Sequence, residues 1–179
     1  MEIMETIAAR RSVRKYEPRP VEKEKLAICV EAARLAPSAC NSQPWKYITV
    51  SDPAALAALK ETAFTGVYAP TAFAKQAPVL VAVVSENAGL PAWLGGKFRS
   101  LPFYLVDIGI SVQNFVLAAQ SQCLGTCIIG WFDEVKAAKA LGVPSGRKVE
   151  LLISVGYPAE NPPARPRKKL EQMSSQDSY

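Results

Sequence analysis

At 179 residues, 49% hydrophobic and 21% charged, the chain has the length and balance of one globular domain; it is too short for two ordinary domains and too apolar for a disordered segment. It has no histidine, and its four cysteines (Cys29, Cys40, Cys123, Cys127) form no Cys-x-x-Cys pair, which argues against zinc and removes Ser–His and Cys–His nucleophile systems. The net charge of +5 gathers near the two ends, at Arg10, Arg11, Arg14, Lys15 and Arg19 and at Arg165, Arg167, Lys168 and Lys169. Interleaved acids and a shortage of aromatic neighbours favour one small phosphate over nucleic acid as its partner.

Residues 2–9 read as a short helix, with Ile3, Ile7 and Ala8 at helical spacing. Acids at Glu2 and Glu5, with no apolar run behind them, do not resemble a signal peptide, so the expected location is the cytoplasm. An extended turn around Tyr16 to Pro20 leads to a helix over 22–35, with Leu26, Cys29, Val30 and Ala33 facing inward and Pro37 closing it. Lys46 to Val50 reads as a strand and 53–62 as an alanine-rich helix. The apolar run 78–84 suits the middle of a sheet.

Gly89, Pro91, Gly95 and Gly96 mark 86–102 as a loop. A long helix follows from about Phe103 to Gln122. Asp107, Gln113 and Asn114 interrupt its apolar run, so a buried helix is expected and not a membrane span. Cys127 to Ile129 is a strand, Asp133 caps a helix over 134–141 that Gly142 stops, and Val149 to Val155 is the last strand. Cys123 and Cys127 straddle a helix end turning into a strand and are expected as small buried packing residues. Irregular alternation of helices and strands indicates an α+β fold, with no Gly-x-Gly-x-x-Gly to suggest a Rossmann domain.

Several segments can carry chemistry. In Arg10-Arg11-Ser12-Val13-Arg14, guanidinium groups match phosphate oxygens in pairs, and extended backbone points Arg10, Ser12 and Arg14 to one side. The loop Pro37-Ser38-Ala39-Cys40-Asn41-Ser42-Gln43-Pro44-Trp45 is stiffened by prolines and rich in short hydrogen-bonding groups. Ser38, Asn41 and Gln43 suit a flat heterocycle. At Ile129-Gly130 a glycine after a strand lets backbone N–H groups approach a ligand ring. Arg165 and Arg167 can return to the phosphate site. Each segment also has a plain reading, as a solvated turn, a well-made loop or a solvated tail.

Taken in this order, RRSVR, PSACNSQPW, LGTCIIGWF, LLISVGYP and RPRKKLE resemble the nitroreductase family of FMN-dependent oxidoreductases, from Glu5 to about Glu171. The resemblance implies one domain over 1–179 with a central, mainly antiparallel sheet flanked by helices. It implies an intertwined homodimer in which the tail from about 160 wraps the partner chain. It also implies bound FMN, NADH or NADPH as donor, and a small acceptor such as a nitroaromatic or quinone, reduced by a ping-pong mechanism. Arg10, Arg11, Ser12, Arg14, Arg165 and Arg167 would hold the phosphate and ribityl region. Pro37, Ser38, Ala39, Asn41 and Gln43 would reach the same flavin from the second chain, and Ile129 and Gly130 would meet its N5 and O4 edge. No side chain is implied as a nucleophile. Tyr68, Phe73, Trp93, Phe98 and Tyr104 are candidates to stack on an acceptor. A flavin- or nucleotide-binding sensor is the alternative.

Overall fold

The run Val79 to Val84 is buried at every position, and cover on both faces of that strand organises the molecule. The computed structural model describes residues 2–87 and 89–179. Strand β2 (Val79–Ser85) lies between β1 (Trp45–Val50) and β4 (Lys148–Gly156), and β4 pairs in turn with β3 (Gly125–Ile129). All these pairings are antiparallel, as the family resemblance implies for a mainly antiparallel sheet. Register sets like faces together: Val81 pairs with Ile153 on one side and Ala82 with Leu152 on the other.

On the first face, Val79, Val81, Val83, Ile153 and Val155 meet helix α2 (Lys23–Arg34) through Leu26, Cys29 and Ala33. The same face meets helix α5 (Phe103–Ser121) through Ile108, Val112, Phe115 and Ala119. On the second face, Leu80, Ala82, Val84 and Leu152 meet Leu56 and Leu59 of α3 (Pro53–Ala63) and Ala137 of α6 (Glu134–Ala140). The result is an α+β sandwich of helices on a sheet.

Local chemistry sets the ends. Asp52 accepts the N–H groups of Ala54 and Ala55 (3.1 and 3.0 Å) with Pro53 in the first turn, and Asp133 accepts that of Lys136 (3.0 Å). Gly142, at φ +62°, ends α6 as expected. Among the described residues α5 is the one helix long and apolar enough to cross a membrane by length and composition. It lies against the sheet, and its polar interruptions are bonded. The Ser111 hydroxyl donates to Ala33 O (2.9 Å) and Asn114 Nδ2 to Ala32 O (3.1 Å), which fastens α5 to α2.

Some expectations are corrected. The stretch 86–102, read as a loop, contains helix α4 (Leu90–Arg99); residue 88 lies outside the described residues. Pro91 sits in the first turn, where no helical N–H is needed. Gly96 is required by packing, since a Cβ there would fall 2.9 Å from Leu101 O. Cys29 and Cys127 are buried as expected, and burial pushes the Cys29 thiol up to about 11. Cys123 is exposed instead, at φ +62° in the turn after α5. The Ile3 and Ile7 stripe of α1 (Ile3–Ala9) is also exposed, and Thr6 is the helix residue that is buried.

Candidate functional site

Helix α1 ends at Arg10, whose N–H still bonds Thr6 O (3.1 Å), and the chain then runs extended. This arm docks on the outer edge of β3: Ser12 bridges Thr126 in parallel and Val13 N–H donates to Thr126 O (2.9 Å). The dock needs glycine beneath it. A Cβ on Gly125 would meet Val13 side-chain carbons at 2.9 Å, and one on Gly156 would meet Tyr16 Cδ1 at 2.8 Å. The two glycines face each other across β3 and β4. The Tyr16 hydroxyl reaches Val13 O (2.6 Å) and Ser154 Oγ (2.7 Å); burial pushes its phenol well up, against the opposing pull of the Ser154 bond.

The tail is stitched to this arm. Tyr16 bridges Pro158, Ala159 N–H donates to Lys15 O (3.0 Å), and the Glu160 carboxylate accepts the N–H groups of Arg14 (2.6 Å) and Lys15 (3.2 Å). Beyond it, Pro162, Pro163 and Pro166 carry Arg165 and Arg167 back alongside the arm. Arg10, Arg11, Ser12, Arg14, Arg165 and Arg167 thereby line one cleft of about 900 Å³. The structure brings the two basic ends of the sequence together.

Among the described residues none of these arginines forms an ion pair, because the nearby Glu160 is engaged by backbone. The Arg11 guanidinium donates to Ala8 O (2.6 Å) and Arg10 O (3.0 Å), closing the end of α1. Arg14 stands 5.4 Å over the Phe73 ring. Guanidinium groups crowded without acids repel one another, so the cleft is complementary to an anion.

Ile129 is buried at the end of β3, while Gly130 is exposed, and a Cβ there would meet only Leu151 Cδ2, at 3.8 Å. Packing does not demand that glycine, and its outer side is open. The following Trp131 is pinned to the 3₁₀ segment Gly66–Gln76. Its indole N–H donates to Val67 O (2.9 Å), its carbonyl accepts from Thr71 Oγ1 (2.7 Å), and Tyr68 lies against its ring at 5.3 Å. The same segment supplies Phe73 beneath Arg14, so it links the Gly130 end of β3 to the arm. The sequence gives no warning of this, since Gly66 and Pro70 disguise the turns. Below the arm the Cys127 thiol is pushed up by burial, with Arg14 acting in the opposite direction.

Pro37, Ser38, Ala39, Asn41 and Gln43 do not line the arginine cleft. They form a separate loop at α5, where Ala39 N–H donates to Asp107 Oδ1 (3.0 Å). Ser38 Oγ accepts Gln43 N–H (2.9 Å), and Gln43 Nε2 donates to Asn41 O (3.1 Å). Asn41 and Gln43 are exposed. Of the aromatic candidates, Tyr68 and Phe73 belong to the linking segment, and Tyr104 packs on the α5 side of the core. Trp93 and Phe98 are exposed on α4.

A family model described as "Nitroreductase family" matches residues 7–157. A curated relative from Methanothermobacter thermautotrophicus, provisionally named an NADH dehydrogenase/NAD(P)H nitroreductase, is 33% identical over 170 residues, covering 92% of this chain and 82% of its own. The NADPH-flavin oxidoreductase of Vibrio harveyi is 28% identical, covering 98% and 74%. A solved nitroreductase family protein from Clostridium novyi NT superposes with a TM-score of 0.74 at 26% identity, covering 89% of this chain and 87% of that one.

Proposed function

The chain belongs to the nitroreductase family, and from that membership we propose that it holds FMN by the arginine cleft and passes electrons from NADH or NADPH to a small acceptor. A nitroaromatic or a quinone fits, with donor and acceptor taking turns at one open face. Relatives named NAD(P)H nitroreductase and NADPH-flavin oxidoreductase support an NAD(P)H-dependent flavin enzyme. The observation that carries the reading is the cleft itself, where unpaired arginines from both ends of the chain surround a space of about 900 Å³. A phosphate satisfies that charge, and the donors are those a phosphate needs: paired guanidinium N–H groups and the Ser12 hydroxyl.

In this reading Arg10, Ser12, Arg14, Arg165 and Arg167 hold the phosphate and ribityl region, while Arg11 closes α1 and adds charge. FMN, when bound, supplies the hydride chemistry that no side chain here performs. Ile129 and Gly130 would meet the flavin edge through backbone N–H groups, and at Gly130 an added Cβ would meet only Leu151 Cδ2, at 3.8 Å, so no side chain crowds that position. Arg14 adds fixed positive charge where negative charge develops. The loop with Pro37, Ser38, Ala39, Asn41 and Gln43 completes the site from a second copy, making the working unit a homodimer.

An anaerobic absorbance scan before and after NADH and then NADPH tests the redox assignment. The expected result is a flavin spectrum that bleaches within seconds with at least one donor. Flavin that both donors leave oxidised, or no flavin after reconstitution with FMN, defeats it.

A further inference from the structure

Asp107 takes no part in the reading above, and the sequence marks it only as a polar break in the apolar run of α5. In the fold it is 4% exposed, and its Oδ1 receives the Ala39 N–H at 3.0 Å. That bond ties the Pro37–Gln43 loop to a core helix. The loop needs such a hold. Cys40, Asn41 and Gln43 have φ of 51°, 52° and 45°, the left-handed region that side-chain-bearing residues avoid. Its internal bonds, Asn41 N–H to Ser38 O and Ser42 N–H to Ala39 O (both 3.0 Å), curl the turn without anchoring it to α5.

Acceptors are also left over here. Among the described residues the buried side-chain polar atoms without a partner are Ser42 Oγ, Asp107 Oδ2 and Glu150 Oε1; the first belongs to this loop and the second to the carboxyl that holds it. A buried carboxyl with an unused oxygen is more than a structural fastener requires. Strain gathered with unsatisfied groups is a mark of a segment shaped for a ligand.

We infer that Asp107 is a positioning residue for the cofactor, holding the Pro37–Gln43 loop in the strained conformation that presents Ser38 and Asn41 to the flavin. The inference rests on the FMN reading above. It assigns Asp107 no contact with the reacting atoms.

Titration of FMN into the full-length protein, followed by quenching of FMN fluorescence, tests it with Asp107→Ala, Asp107→Leu and Asp107→Asn. Leucine fills the volume without an acceptor and carries the test if the alanine variant fails to fold; asparagine keeps the acceptor oxygen. The acceptor-free variants should bind FMN about ten-fold more weakly or worse, the loss of a hydrogen bond to a charged group. Asparagine should stay within about three-fold of wild type, because the Ala39 bond survives. Their KM for NADH at saturating FMN should not move. A folded alanine or leucine variant with wild-type FMN affinity overturns the inference and leaves the arginine cleft standing. Asparagine as damaging as leucine overturns it too. Wild-type protein that binds no FMN overturns both readings.

Discussion

Arg10 and Arg14 can be truncated without opening the core, since their side chains line the cleft while the arm is held by backbone bonds and by buried Val13 and Tyr16. Arg10→Ala combined with Arg14→Ala should therefore strip FMN and leave the fold intact. Each charged hydrogen bond to phosphate contributes about 1.5–3 kcal/mol, so the pair should cost a hundred-fold or more in affinity. Flavin content after gel filtration, beside a far-UV circular dichroism spectrum, checks this; stoichiometric flavin in the double variant would remove these residues from the site. The arginine motif was legible because its chemistry is local: alternating donors on an extended arm. Asp107 was not, because its significance lies in a bond to Ala39, a residue of another element far along the chain. Trp131 was missed for the same reason, its partners Val67 and Thr71 lying in turns that carry no clear periodicity.

The arm illustrates how one element is placed by another. Gly125 and Gly156 sit opposite each other in neighbouring strands and leave the hollow in which Val13 and Tyr16 rest. A Cβ at Gly156 would lie 2.6 Å from Pro78 Cδ and 2.8 Å from Tyr16 Cδ1, both parts of rings with little room to move. Gly156→Ala should lower stability by about 1–3 kcal/mol, the usual cost of overpacking, and weaken FMN binding through displacement of the arm. Thermal unfolding paired with an FMN titration reads both effects. An unchanged midpoint would mean the arm docks loosely, and a lower midpoint with unchanged affinity would separate the dock from the site. Strands and most helices were legible from period and caps, as at Val79–Val84 and Asp133–Gly142. Helix α4 was hidden because its glycines serve packing on Leu101 and Phe103, which resembles loop punctuation when only the sequence is seen.

At the scale of the whole molecule, the helices keep apolar side chains that the chain's own core does not cover. On α5, Val106 and Ile110 are exposed on the side away from Ile108, Val112 and Phe115, and Leu105 is exposed near the helix start; on α1, Ile3, Met4 and Ile7 are exposed as well. Ile3 and Ile7, at helical spacing in the sequence, stay exposed in the single chain. In the proposed homodimer a second copy would cover them and bring the Pro37–Gln43 loop, which does not line the arginine cleft of its own chain. Ile110 is the place to separate assembly from folding, because it is 39% exposed and its replacement leaves the α5 core stripe untouched. An unpaired carboxylate buried between two copies costs several kcal/mol, whereas on an exposed helix surface it costs almost nothing. Ile110→Glu should thus convert a dimer into a folded monomer with depleted flavin, measured by light scattering on a size-exclusion column together with the flavin-to-protein absorbance ratio. A wild-type monomer carrying full flavin would show that one chain suffices and that the loop at Asp107 serves some other end. A variant that stays dimeric and flavin-replete would move the interface away from Ile110, toward the exposed apolar side chains of α1 or α4.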